Sequence, residues 1–137
     1  MAMAEAPVTV ITEELLIPAT ADALWPLVST GAALARWYAF GGAEIDARPG
    51  GAMVLRWDEH GSFPATVERV EPGRLLSFRW QPEGDPLVEI RLEPEAEATR
   101  VTITESGRLD NPELDAGAWR NSLGLLRDLA TGLDQTA

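Results

Sequence analysis

The sequence predicts an α+β domain in which a meander of antiparallel strands carries its helices on one side and ends in one long helix. Three observations support this. Apolar residues alternate with a period of two through much of residues 43–106, Pro- and Gly-rich turns punctuate that stretch, and a helical period takes over after Asn111-Pro112. Short turns between consecutive strands favour antiparallel pairing, since a parallel crossover needs a dozen residues or more.

The elements follow in order. Val8 to Ile17 mixes β-branched and polar residues and reads as a first strand ended by Pro18. Thr20 is an N-cap for Ala21 to Val28, with Asp22 in the first turn, where the helix dipole favours an anion. Pro26 lies too far inside for the first helical position, so a kink or a short helix is expected. A second short helix runs from Gly31 to Trp37. Strands at Ala43–Ala47 and Met53–Trp57 flank Pro49-Gly50-Gly51, and Asp58-Glu59-His60-Gly61 makes the next turn.

Phe63–Val70 follows, closed by Glu71-Pro72-Gly73. In Arg74–Trp80, Leu76, Phe78 and Trp80 share one face, and in Leu87–Leu92 the set is Val88, Ile90 and Leu92. Thr99–Ser106 turns Val101 and Ile103 inward. Finally Leu114, Trp119, Leu123, Leu126, Ala130 and Leu133 recur at spacings of three to five as an apolar helical stripe, behind an acidic start of Asp110, Glu113 and Asp115.

Composition excludes several classes of function. At 137 residues and 45% hydrophobic, the chain is one domain, able to bury roughly 68% of its unfolded surface. It is expected to form a single unit over 1–137, with 1–7 as a flexible N-terminal segment. With no Cys there are no disulfides, thiol catalysis or thiolate metal sites. Net charge is −11, and all 11 basic residues are Arg, which sets the chain against nucleic acid and anionic membrane surfaces. The missing lysine removes Schiff-base and P-loop chemistry. No apolar run reaches the ~20 residues of a membrane span, and the N-terminus has no signal-peptide pattern. A soluble, cytoplasmic protein without a cofactor is the expectation.

Specific segments resemble the START-like (SRPBCC, helix-grip) superfamily, and within it the family of the heat-shock-protein-90 ATPase activator C-terminal domain. They are Ile17-Pro18-Ala19-Thr20-Ala21-Asp22-Ala23-Leu24-Trp25, Leu34-Ala35-Arg36-Trp37, Gly50-Gly51, the stretch from Val67 to Trp80, the stretch from Thr99 to Gly107, and Trp119. The resemblance covers nearly the whole chain. It implies a curved sheet gripping the C-terminal helix with a cavity between them, a small-molecule binder, and, by family habit, a homodimer. Some relatives are aromatases or cyclases. The sequence carries no counterpart of the eukaryotic activator's additional N-terminal domain, which sets chaperone activation behind ligand binding.

On that fold, Trp57, Phe78, Trp80 and Trp119 point at the cavity with Trp37 at its mouth, and Ile90, Leu123 and Leu126 line its floor. The same rings are equally suited to filling a core. Strand alternation turns Glu105, Arg69 and Glu13 inward; Glu105 and Arg69 are the candidate polar anchors, unless strand ends splay these groups to solvent. His60, the one imidazole, belongs to an exposed turn, and neither a metal site nor a Gly-x-Ser-x-Gly elbow is present. The expected function is therefore binding of a small apolar or aromatic molecule. Two alternatives remain: a cyclase-, aromatase- or hydratase-like enzyme with Glu105 as base, and a chaperone-associated interaction module. The latter would need a large apolar patch, to which Leu87, Leu109 and Val54 could contribute.

Overall fold

Seven antiparallel strands form one open sheet in the order β1-β7-β6-β5-β4-β3-β2. The computed structural model describes residues 8–82 and 86–132, so the expected N-terminal segment 1–7 and Leu133 lie outside the described residues. The chain runs β1 (Thr9–Ile17), α1 (Ala21–Ser29), α2 (Gly31–Trp37), β2 (Gly42–Ile45), β3 (Ala52–Trp57), β4 (Gly61–Glu71), β5 (Leu75–Trp80), β6 (Leu87–Glu95), β7 (Ala98–Gly107) and α3 (Pro112–Thr131). Strands β2 to β7 form the meander read from the sequence. The additional feature is β1, which pairs with β7 from Thr9↔Gly107 to Ile17↔Thr99 and so brings the two ends of the sheet sequence together.

Local chemistry sets the helix limits. The Thr20 side chain accepts a hydrogen bond from the Ala23 amide at 3.1 Å and starts α1. Pro26 leaves α1 a short helix, closed where the Ser29 and Thr30 hydroxyls donate to the carbonyls of Trp25 and Pro26. Asn111 caps α3 by accepting from the Leu114 amide, Pro112 occupies its first turn, and Gly132 ends it with a left-handed φ of 79°. Among the described residues no helix is long and apolar enough to cross a membrane.

The core lies between the sheet and the three helices. Leu55, Val67, Leu76, Phe78, Val88, Ile90, Val101 and Ile103 from the strands meet Leu24, Val28, Leu34, Trp37, Trp119, Leu123 and Leu126 from the helices. Ile90, Leu123 and Leu126, expected on a cavity floor, are fully packed here instead. Trp37, expected at the mouth, is wholly buried, and its indole N–H donates to the Leu27 carbonyl at 2.8 Å, locking α2 to α1. Polar groups inside are matched as burial demands. The Thr99 hydroxyl donates to the Ala19 carbonyl at 2.7 Å, and among the described residues no buried side-chain nitrogen or oxygen lacks a partner.

Two sequence-based placements are corrected. Strict alternation put Arg69 inward, but β4 carries a bulge: Val67 pairs with Phe78 and Arg69 with Ser77, leaving Glu68 as the extra residue. The Arg69 backbone amide donates to the Ser77 hydroxyl, and the Arg69 guanidinium pairs with Glu71 at 2.7 Å on the exposed surface. Leu114 was assigned to the apolar stripe of α3, yet it is 67% exposed. The five-residue step from Leu114 to Trp119 rotates about 140° around the helix, so Asp115, one turn before Trp119, takes the sheet-facing position.

The contact of α2 with β2 depends on Gly31. A Cβ there would fall inside van der Waals contact of the Ala43 carbonyl oxygen. In an open helix, Gly→Ala stabilises by up to ~1 kcal/mol. Here Gly31→Ala is expected to destabilise by roughly 1–3 kcal/mol through overpacking. Urea denaturation checks the sign, and a stabilised variant would show that α2 and β2 are not in close contact.

Candidate functional site

At one end of the grip, the first turns of α3, the tail of α2, the β3–β4 turn and the ends of β5 and β7 surround an open cleft. It has two adjoining lobes of about 470 and 380 Å³. Trp57, His60, Glu105, Leu114 and Asp115 line both. Phe63, Trp80 and Arg108 belong to the larger lobe, and Tyr38, Phe40 and Trp119 to the smaller.

Aromatic rings form a continuous wall. Tyr38 stacks on Trp119, with centroids 4.4 Å apart and planes at 21°, and meets Trp57 edge-on at 5.1 Å. Trp57 continues to Trp80 at 6.1 Å, and Trp80 sits edge-on to Phe78 at 5.4 Å. The Trp57 indole N–H donates to the Tyr38 carbonyl at 3.0 Å, so strand β3 fixes the backbone that leaves α2. Offset and edge-to-face contacts of this kind add to the burial of the rings themselves.

Among the described residues the one buried carboxylate on this wall is Glu105. It lies on the inward face of β7 and is only 8% exposed, and its Oε1 accepts from the Trp119 indole N–H at 3.0 Å. Burial pushes the Glu105 carboxyl up from its ordinary range; the Trp119 hydrogen bond pulls the other way, and Asp115 adds to the rise. Asp115 is also raised, first by burial and then by Asp110. The Tyr38 hydroxyl is held well above the phenol range by burial and by the charges of Glu105 and Asp115. The cleft is thus apolar along its walls and lined by acids at its inner end.

The residues expected to form the site divide clearly. Trp57, Trp80, Glu105 and Trp119 come together on the cleft. Trp37, Phe78, Ile90, Leu123 and Leu126 stand behind it in the core, and Arg69 is on the outer surface. Glu13 turns inward as alternation requires, and bonds Arg120 of α3 at 3.0 Å. His60 is exposed on its turn, yet it also borders the cleft. Tyr38, Phe63, Leu114 and Asp115 were missed. The adjacent rings Trp37-Tyr38 at a helix end were a usable signal, because two neighbouring side chains cannot both face one core. Among the described residues no group of three or more His, Asp or Glu side chains converges as a metal site would require.

An open antiparallel sheet closed over by a long C-terminal helix, with strand β1 laid on the last strand, defines a helix-grip protein of the START-like class. Within that class the chain belongs to the family described as Activator of Hsp90 ATPase homolog 1-like protein, whose pattern matches residues 18–131. Solved structures agree. A protein from Mesorhizobium loti matches with a TM-score of 0.78 at 20% identity, over 93% of this chain and 100% of that one. An AHSA1-like protein from Aeromonas hydrophila matches at 0.76 and 24%, over 94% and 98%. The Aha1 dimer from Colwellia psychrerythraea matches at 0.76 and 19%, over 89% and 96%. At these identities the likeness is one of fold. No curated protein matches the sequence.

Glu105 gives the site a stability signature. Glu105→Ala leaves the buried Trp119 N–H without its acceptor and is expected to cost about 1–3 kcal/mol, whereas Glu105→Gln keeps an acceptor oxygen and costs less. A raised folded-state pKa means that the folded chain holds this proton at a pH where the unfolded chain, with Glu near 4.3, has lost it. Wild-type stability relative to Glu105→Gln therefore falls as pH rises through that interval and is level above it. Urea denaturation of both proteins across mildly acidic pH checks this; a difference that does not change with pH would place Glu105 in water.

Proposed function

We propose that this chain binds a small, largely apolar or aromatic molecule in the cleft between the sheet and α3. Of the large hydrophobic side chains left exposed among the described residues, three rim this cleft: Phe40 at 52%, Phe63 at 39% and Leu114 at 67%. This clustering carries the proposal. Scattered exposed apolar residues need no explanation, but a cluster around a concave, aromatic-lined space with one buried polar group is what small-molecule sites present. Trp57 and Trp80 supply flat apolar area, and Glu105 supplies a fixed acceptor that orients the occupant.

A second reading, self-association, is favoured by a separate observation. Val10 and Leu16 are exposed on one face of β1, an edge strand, and Val8 just before it is exposed too. Such an edge is a template for pairing, and the Colwellia psychrerythraea relative is described as a dimer.

Leu114 separates binding from folding, because it touches the cleft while lying mostly in solvent. Leu114→Ala is expected to change stability by less than ~0.5 kcal/mol and to weaken an apolar ligand about tenfold, by lost contact. Quenching of tryptophan fluorescence by a panel of aromatic compounds and fatty acids measures this. A saturable response weakened by Leu114→Ala supports the cleft. No saturable response to any member, or one indifferent to Leu114→Ala, contradicts it.

A further inference from the structure

The charge on the cleft wall points to the chemistry of the occupant, on the reading that the cleft is a binding site. Among the described residues three carboxylates line it, Glu105, Asp110 and Asp115, against one guanidinium, Arg108, and the His60 imidazole. Arg108 and His60 are exposed, whereas Glu105 is nine-tenths buried and Asp115 half-buried. A charge in water is screened and one facing a low-dielectric wall is not, so the buried acids dominate the potential felt inside. Among the described residues Glu105 bonds through Oε1, to Trp119, and the side chain borders both lobes. Trp57 borders both lobes with it, and an aromatic ring face attracts cations.

We propose that the cleft selects cationic aromatic molecules of the aryl-alkylammonium class, with the ring against Trp57 and Trp80 and the ammonium directed to Glu105 and Asp115. A neutral apolar ligand would leave the Glu105 carboxylate desolvated and without a countercharge, and a carboxylate ligand would add repulsion to that cost. An ammonium restores a charge-assisted hydrogen bond in place of the water it displaces. Burial is the first cause of the raised proton affinities of Glu105, Asp115 and Tyr38, and a neighbouring acid adds to each.

The test holds shape constant and varies charge. Naphthylethylammonium, naphthylethanol and naphthylacetate are titrated calorimetrically into the full chain at neutral pH. The expected order of affinity is ammonium, alcohol, carboxylate, with the ammonium about tenfold tighter than the alcohol. Glu105→Gln is expected to remove most of that preference. Asp115→Asn is expected to reduce the preference in the same direction, and it decides the matter should Glu105→Gln not fold. Equal or tighter binding of the alcohol or the carboxylate overturns the charge selection while leaving the cleft a binding site. An ammonium preference unaffected by both substitutions also overturns it. If none of the three ligands binds, both this inference and the binding function fall together.

Discussion

The hydrogen bond from the Trp119 indole to Glu105 joins the last strand to the last helix, and the cleft is arranged around it. A carboxylate so nearly buried loses much of its hydration, and a single charge-assisted bond returns only part of that loss. The bond also fixes the rotamer of Trp119, the largest ring on α3. Tyr38 stacks on that ring, and Trp57 in turn holds the Tyr38 carbonyl. A chain of three contacts therefore runs from β7 through α3 and the end of α2 to β3, tying together elements from both halves of the sequence.

This arrangement leaves the inner end of the cleft polar and its rim apolar, which is the reverse of an ordinary protein surface. Apolar side chains at the rim gain from being covered, and the acid within gains from a partner. One amphipathic molecule of modest size, as proposed above, would meet both demands. On the outer face of the sheet, exposed pairs such as Arg79 with Glu68 at 2.6 Å and Arg100 with Glu95 at 2.6 Å are well solvated. Pairs of that kind contribute little to stability. Charge carries energetic weight in this molecule chiefly where hydration is reduced, at Glu105 and to a lesser degree at Asp115.

Most of the fold was legible because its elements follow strong local rules. Thr20 acts as a cap, Asn111-Pro112 marks where the last helix begins, Gly31–Trp37 is the second helix, and the inward sets on β5, β6 and β7 match period-two alternation. The sequence could not show where alternation breaks. The β4 bulge at Glu68 moves Arg69 to the other face, and no residue type at that point announces it. The distinction between lining and filling was equally hidden. Phe78 and Trp80 share a face two residues apart, yet Phe78 is core and Trp80 borders the cleft, because that depends on how far α3 extends over the strand end. Glu105 was legible because it continues the Val101-Ile103 face of a regular strand, while Asp115 was obscured by counting Leu114 into a stripe that helical rotation excludes.

The central claim is that Glu105 is a buried acid bonded to Trp119 at the inner end of an open cleft. It is tested most directly by an NMR pH titration that follows the Glu105 side-chain carboxyl carbon and the Trp119 indole N–H together. The account predicts one shared midpoint, above the ordinary glutamate range, with the indole signal moving as its acceptor gains a proton. A Glu105 that titrates as a solvated glutamate, with a Trp119 signal indifferent to it, would contradict the account.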